Sequence, residues 1–202
     1  SPTPTNTSTP LPISIDNLPD SAEIAGLIGH AQYYTLDCET RSAVDWAEFL
    51  GYSISELEFL DNLPLSDNPE KGFVGYFLDA PGSIPPLSYG VHAEPIARLL
   101  REYEVPAIAL KGMTWNELQL EIAQGRPVIT WVIYQIGYSQ AVTYTSSDGN
   151  TTLVAPFEHT VIVTGYDSEQ VTVIDGNLKY SVPLEQYLQS WSILGNMAIV
   201  VE

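Results

Sequence analysis

The chain has 202 residues, 45% of them hydrophobic, which is enough to bury the core of one domain. Its 25 acidic residues outnumber 7 basic ones, and the resulting net charge of −18 would repel the phosphate backbone of a nucleic acid. No apolar run approaches the ~18 residues of a membrane-spanning helix. The sequence therefore predicts a domain that neither binds nucleic acid nor crosses a membrane.

The first twelve residues differ in composition from the rest. Residues 1–10 read SPTPTNTSTP, a Ser/Thr/Pro segment of the kind that tethers an exported domain to a membrane or cell-wall anchor. We expect residues 1–12 to be a disordered linker that follows a removed export or lipoprotein signal, and residues 13–202 to form the folded domain. The linker and the acidic charge favour an extracellular or cell-surface anchored location.

The single cysteine, Cys38, lies where a helix is predicted to begin. Apolar residues follow it at helical spacing, at positions 43, 46, 47, 49 and 50, and Asp37 or Thr35 can cap the helix. The unpaired N–H groups of a first helical turn and the helix macrodipole stabilise a thiolate. This position predicts a lowered pKa for Cys38 and a nucleophilic role.

Gln32 precedes Cys38 by six positions. Its amide, on the loop before the helix, can donate a hydrogen bond to an oxyanion that forms beside the cysteine. The alternative is an inert Cys38, since a free cysteine is commonly a small core hydrophobe.

Residues 61–90 are predicted to form a long loop, because five prolines and several glycines interrupt them. Long loops are usually functional or disordered, and the aromatic residues of this one suit a cover over a substrate or simple packing. Its acidic residues Asp61, Asp67 and Glu70 offer ligands for calcium or form a solvated acidic surface. The histidines and the cysteine show no zinc-binding spacing, so we expect no metal and no cofactor.

The other elements become β-rich towards the end of the chain. A strand is predicted at 12–16, and helices after two capping boxes, Ser53 to Glu56 and Thr114 to Glu117, and at 93–103. Strands are predicted at 105–110 and 127–134, followed by two hairpins, 141–145 with 151–155 and 159–166 with 171–174. A strand at 179–182, a helix with Pro183 in its first turn and a strand at 197–201 end the chain. Helices first and strands second indicate an α+β domain.

His159 opens one strand of the second hairpin, and Asp175 ends the other. The hairpin places both at the same end, where their side chains can meet. A nucleophilic cysteine needs a base, and a third polar group holds that base in one tautomer. Alternatively, His159 is a polar strand end and Asp175 a turn residue. His30 and His92 are competing bases that also suit capping or packing.

Residues 15–202 resemble papain-like cysteine peptidases, in the stand-alone branch related to bacteriocin double-glycine leader peptidases, the peptidase C39-like family. The segments that carry the resemblance are QYYTLDCE (32–39), GFVG (72–75), GVHAEP (90–95), GRPVITW (125–131), HTVIVTGYD (159–167) and residues 191–198. The resemblance implies a papain-like α+β fold, with N-terminal helices packed on an antiparallel β-sheet.

By position, the resemblance makes Cys38 the nucleophile, His159 the base, Asp175 the orienting acid and Gln32 the oxyanion donor. Two positions depart from the family pattern. Glu39-Thr40 stand where relatives often have Gly-Pro, a substitution also met in the stand-alone branch, and Gly176 stands where relatives usually have proline.

We therefore expect an exported, monomeric cysteine peptidase that hydrolyses peptide or protein substrates. Tyr89, His92 and Trp131 are further predicted to contact the substrate. Two alternatives remain open at this point: an amidase or acyl transferase that uses the same triad on cell-wall peptides, and a surface binding module without catalysis.

Overall fold

The computed structural model describes residues 13–202; the linker predicted at residues 1–12 lies outside this range. Five α-helices lie within it: α1 (Cys38–Phe49), α2 (Glu56–Asn62), α3 (Ala93–Glu102), α4 (Trp115–Ala123) and α5 (Leu184–Ser192). The strands of the same range are β1 (Ala22–Glu23), β2 (Ala107–Leu110), β3 (Val128–Ile133), β4 (Val142–Thr145), β5 (Thr151–Val154), β6 (Glu158–Tyr166), β7 (Gln170–Asp175), β8 (Leu178–Pro183) and β9 (Ala198–Val201). None of these helices has the length and apolarity needed to cross a membrane.

The centre of the fold is an antiparallel sheet with the strand order β2-β9-β3-β6-β7-β8, and β1 pairs with the far end of β6. The hairpin of β6 and β7 forms as predicted, and β3 lies beside β6 in the middle of the sheet. The predicted α+β class, with N-terminal helices packed on an antiparallel sheet, is confirmed.

Helices cover the two faces of this sheet, and the sequence of the central strands reflects it. Along β3, Ile129, Trp131 and Ile133 join the core that α1 and α3 cover, whereas Val128 and Val132 join the core that α4 and α5 cover. All six residues of β3 are buried. A strand buried on both faces reads as a continuous apolar run, which is why this strand could be predicted so clearly.

The predicted loop between α2 and α3 forms no helix or strand; two isolated β-bridges are its regular pairings. The hairpin of β4 and β5, a separate two-stranded sheet, fastens it. Asp67 accepts a hydrogen bond from the Ser147 backbone N–H (2.7 Å), and Asn68 donates to Ser146 Oγ (3.1 Å). These contacts hold the loop beside the end of the sheet where β6 begins.

Three predictions about local structure were wrong. Residues 12–16 were predicted as a strand, but Ile15–Asn17 form a 3₁₀ turn because Asn17 Oδ1 accepts a hydrogen bond from the Ser14 backbone N–H (2.6 Å). The predicted Ser53 box does not form, since Ser55 caps α2. Pro183 is the cap of α5, one position before the predicted one.

Candidate active site

The predicted nucleophile and base meet where the first turn of α1 faces the start of β6. Cys38 is the first residue of α1, and His159 is the second residue of β6; both are buried, at 7% and 8% exposure. Two small adjoining cavities are each lined by Cys38, His159 and Gln32. The structure therefore brings together three of the residues that the sequence singled out.

His159 is bonded to the predicted orienting acid. Its Nε2 lies 2.7 Å from Asp175 Oδ1, and Tyr180 donates its hydroxyl to Asp175 Oδ2 at 2.8 Å. An ionised carboxylate only accepts hydrogen bonds, so Nε2 carries the ring proton and Nδ1 is left as the basic nitrogen. Burial raises the pKa of Asp175, but the bonds from His159 and Tyr180 outweigh burial and hold that pKa below its ordinary value.

The hairpin register explains why this contact forms. Ile162 pairs with Ile174 near the site. A bulge between Val163 and Gly165 changes the pairing register only in the other half of the hairpin, next to the turn that joins β6 to β7. Asp175 then ends β7 at the end of the sheet where β6 begins. The predicted meeting of the two side chains is confirmed by their hydrogen bond.

A hydroxyl pair that sequence reasoning missed joins the two elements behind the site. Ser42 Oγ and Thr160 Oγ1 are 3.0 Å apart and buried. Ser42 lies one helical turn after Cys38, on the same face of α1, and Thr160 follows His159. The helical spacing of Ser42 was visible in the sequence, but its partner lies 118 positions away.

Gln32 lines both cavities, but its amide is engaged elsewhere in this structure. Its Nε2 donates to the carbonyls of Tyr34 (2.7 Å) and Thr35 (2.9 Å). The amide therefore closes the loop that leads into α1. To donate to an oxyanion it has to exchange one of these partners.

The predicted lowering of the Cys38 pKa is wrong. Burial raises the pKa of this thiol well above its ordinary value, and the neighbouring carboxyl groups of Glu39 and Glu158 raise it further. A helix N-terminus contributes only about 0.3–1 kcal/mol in exposed sites, which is less than the cost of burying a thiolate beside acidic groups. Cys38 is a neutral thiol in this structure, and its S–H donates to Glu39 Oε2 at 3.2 Å.

The residue before Cys38 is a third buried acidic side chain near the thiol. Asp37 is the N-cap of α1, as the sequence allowed, but its side chain makes no capping hydrogen bond. Burial, together with the nearby carboxyl group of Glu56, raises the pKa of Asp37 to about 8. Asp37 is therefore largely protonated at neutral pH.

The prediction that Tyr89, His92 and Trp131 contact the substrate is wrong, because all three residues lie in the interior. Trp131 is fully buried and its indole N–H donates to the Val91 carbonyl at 2.9 Å. Tyr89 and His92 are 2% and 0% exposed, and the Tyr89 hydroxyl lies 3.0 Å from His92 Nε2. Residue type alone could not distinguish these packed rings from exposed ones.

Other side chains surround the opening beside Cys38. The ring of Tyr134 is half exposed and stands edge-on to the His159 imidazole, with centroids 5.5 Å apart. The cavity wall there is largely apolar, and its members besides the predicted catalytic residues are Thr35, Leu36, Pro81, Tyr134, Phe157 and Glu158. Pro81 belongs to the loop between α2 and α3, so this loop reaches the site. A loop that covers the substrate has to do so.

The competing bases have structural contacts. His30 Nδ1 lies 2.7 Å from Asp45 Oδ1, next to the Arg41 guanidinium on the same carboxylate. His92 Nδ1 lies 2.5 Å from Glu70 Oε1. His92 is therefore packed in the interior, whereas His30 is exposed and held at the surface by Asp45. Both have structural contacts, as the alternative interpretation held.

Gly90, in the turn before α3, lies against the two glutamates at the site. Its φ is +124°, and a Cβ added there would lie 2.2 Å from Glu39 Oε1 and 2.9 Å from Glu158 Oε2. We expect Gly90→Ala to lower the free energy of unfolding by about 1–3 kcal/mol. Thermal unfolding of the purified variant measures the loss.

Gly112→Ala is the matched control for this prediction. Gly112 also has a positive φ, +71°, but nothing lies within 4 Å of an added Cβ. It therefore reports backbone strain without a collision. Equal losses for the two variants would show that the approach of the glutamates to Gly90 contributes nothing.

Comparisons with known proteins agree with this fold. The model of the Peptidase_C39 like family matches residues 30–199. The uncharacterized protein YvpB of Bacillus subtilis is 25% identical over 180 residues, which are 82% of this chain and 68% of that protein.

Solved structures share the fold. A Bacillus anthracis protein described as a C39-like peptidase superposes with a TM-score of 0.80 at 23% identity, over 91% of this chain and 98% of that one. Xylellain, a cysteine protease of Xylella fastidiosa, gives 0.52 at 12% identity, over 100% of this chain and 90% of that one. The peptidase domain of Streptococcus ComA gives 0.50 at 13% identity, over 87% and 98%. With most of its length matched by the family model, this chain belongs to the peptidase C39-like family.

Proposed function

We propose that the protein is an exported cysteine peptidase in which Cys38, His159 and Asp175 hydrolyse peptide bonds. The observation that carries the proposal is the hydrogen bond of His159 to Asp175, together with the two cavities that His159 lines with the Cys38 thiol at a helix N-terminus. Family membership supports a peptide substrate.

The first chemical step begins from the neutral thiol. Sγ of Cys38 attacks the carbonyl carbon of the scissile amide while its proton passes to His159 Nδ1, the nitrogen that Asp175 leaves free. The electrons of the carbonyl π bond move to its oxygen. Asp175 then stabilises the imidazolium that has formed.

The oxyanion needs donors that are already in place. The backbone N–H of Cys38, in the first turn of α1, has no intrahelical acceptor and serves as one of them. Gln32 serves as the second after its amide leaves one loop carbonyl. Collapse breaks the C–N bond, the amine leaves with the proton from Nδ1, and a thioester remains on Cys38. Water, deprotonated by the same nitrogen, releases the acid.

The side chain beside the scissile bond is apolar in this proposal. Leu36, Pro81, Tyr134 and Phe157 offer carbon surface beside Cys38, and an apolar side chain gains about 25 cal/mol per Å² buried against it. The net charge of −18 favours substrates that are not themselves strongly acidic.

Export is supported by the composition of the first residues. The Ser/Thr/Pro segment at residues 1–12 suits a tether outside the cell. Fractionation of cells that produce the full-length protein tests this part separately, and recovery in the cytosol alone would contradict it.

Covalent labelling tests the catalytic part. The chain has one cysteine, so a thiol-selective peptidyl vinyl sulfone with an apolar side chain next to the reactive group can modify only Cys38. We expect stoichiometric labelling of the native protein at neutral pH, and a loss of at least ~100-fold in rate for His159→Ala. Mass spectrometry measures both.

His30→Ala is the matched control, because His30 pairs with a buried carboxylate in the same way but lines neither cavity with Cys38. It should label like the parent. Labelling that is equal in the His159 variant, or that requires denaturant in the parent, would show that Cys38 is a packed thiol.

A further inference from the structure

Two buried glutamates lie directly behind the Cys38 thiol. Glu39 follows the cysteine in α1, Glu158 precedes His159 in β6, and they are 1% and 4% exposed. Glu39 Oε1 and Glu158 Oε2 both converge on the space that Gly90 leaves by lacking a side chain. Like charges this close and this far from water cannot both persist, so at least one of the two carboxyl groups holds a proton.

The hydrogen bonds distinguish the two groups. Glu39 Oε1 accepts from the Val91 backbone N–H at 2.7 Å, and its Oε2 accepts from Cys38 S–H at 3.2 Å. Among the described residues, neither oxygen of Glu158 has a hydrogen-bond partner. Donors stabilise an ionised carboxylate, and a buried carboxylate without them is costly. Glu39 is therefore the better place for a negative charge.

The titratable groups around the pair agree with this assignment. Burial raises the pKa of Glu39 above its ordinary value, and the hydrogen bonds from Val91 and Cys38 and the nearby His159 offset part of that rise. Burial raises the pKa of Glu158 well above its ordinary value, and the charge of Glu39 adds to the rise. The Trp131 indole lies close enough to offset a smaller part of it, but its N–H donates to the Val91 carbonyl and not to Glu158.

Arg41 lines a cavity with Cys38, but its guanidinium is bonded to Glu56 and Asp45. Two acidic groups on neighbouring elements act on the glutamates. From the loop, the Tyr89 phenol faces both glutamates, and its own pKa is raised by burial and then by Glu158. The charge of Glu39 also raises the pKa of Asp37, the residue before α1, which is largely protonated at neutral pH. His159 is thus the group beside Glu39 that can become positive.

We propose that Glu39 and Glu158 form a carboxyl pair that carries one negative charge, on Glu39, and that this charge keeps resting Cys38 a neutral thiol. The pair consists of positioning residues, since it acts on the substrate only through Cys38. The inference rests on the proposed function, because its consequence concerns catalysis: the Cys38 thiol loses its proton to His159 only during attack on the substrate. It also makes the resting thiol resistant to oxidation, which proceeds through the thiolate.

Alkylation by iodoacetamide as a function of pH tests the proposal without any peptide turnover. Only the thiolate reacts, and Cys38 is the single thiol of the chain, so the midpoint of the rate profile reports its ionisation. We expect Glu39→Gln to move this midpoint to lower pH by at least about one pH unit, because a negative charge within hydrogen-bond distance is removed. Gln keeps an oxygen for the Val91 N–H.

Glu158→Gln is the internal comparison: at neutral pH a neutral acid is replaced by a neutral amide, so the midpoint should move clearly less than in Glu39→Gln. Glu185→Gln, on the exposed side of α5, controls for the change in net charge and should leave the midpoint in place. An equal shift in the Glu39 and Glu158 variants, or no shift in the Glu39 variant, would overturn the assignment. Repeating the series with His159→Ala removes the imidazole as a source of the shift.

A measurement on the unaltered protein covers the case in which a variant does not fold. The side-chain carboxyl ¹³C resonances of Glu39 and Glu158 differ between acid and carboxylate forms. At pH 7 we expect Glu158 at the position of the acid and Glu39 at that of the carboxylate. The reverse assignment, or two acids, would contradict the proposal whether or not the protein cleaves any peptide.

Discussion

Replacing Cys38 with alanine is expected to reduce peptide hydrolysis to the background rate, a loss on the order of 10⁴-fold or more. The substitution removes one buried sulfur and its hydrogen bond to Glu39, so the fold should remain. Release of product from a library of fluorogenic peptides measures the activity, and thermal unfolding checks the fold. Retained hydrolysis would place the chemistry outside the proposed site.

The losses of activity on replacing Cys38 and His159 should not be additive. In a catalytic unit, the loss from one member includes most of the loss from the others. His159→Ala alone should therefore approach the loss seen for Cys38→Ala, and the double variant should be no less active than the Cys38 variant. Residual activity above background in the Cys38 variant that the double variant lacks would indicate that His159 acts independently of the thiol.

The elements that carry the site could be predicted because each rests on a local pattern. The helix that Cys38 begins has apolar residues at helical spacing, and the His159 hairpin has two apolar runs around a short polar turn. Both patterns are reliable because the spacing of apolar residues determines which face of a helix or strand is buried. The same patterns also identified β3, whose two faces are covered by helices.

The side-chain environment could not be predicted in the same way. Glu39 and Glu158 are neighbours of Cys38 and His159 in sequence, but their approach depends on contacts between α1, β6 and the turn at Gly90. Nothing in the sequence indicated that approach, and a prediction from the helix dipole alone therefore had the wrong sign for the change in the thiol pKa. Trp131 and Tyr89 were misassigned for a related reason, since burial of an aromatic ring is decided by tertiary packing.

Tyr180 is a further residue that the sequence did not indicate. It lies on β8, where it pairs with Val173 of β7, and the tight turn after Asp175 brings its hydroxyl to the carboxylate. The hydroxyl satisfies the oxygen that His159 leaves free. It thus holds the carboxylate in the plane that the imidazole needs.

Substitutions at Asp175 give the second large expected effect. If its role is to accept the His159 Nε2–H and fix the ring, asparagine can still accept that bond with its amide oxygen, whereas alanine cannot. We expect Asp175→Ala to lower kcat/KM by at least ~10-fold, or about 1.4 kcal/mol of transition-state stabilisation, and Asp175→Asn to lower it less. Most of the loss should appear in kcat, because the residue orients the base and does not bind substrate.

Tyr180→Phe distinguishes this orienting role from a purely structural one. It removes the hydroxyl bond to Asp175 Oδ2 and leaves the ring and the His159 bond in place. Because that bond helps to hold the Asp175 pKa low, its loss should move the acidic limb of the kcat/KM profile to higher pH, where Asp175 now begins to take up protons. If Asp175 is only a turn residue, all three variants should change the unfolding temperature slightly and leave kcat/KM and its pH profile alone. Asn177, which lines the same cleft as His159 and Asp175, would then be the residue to replace next.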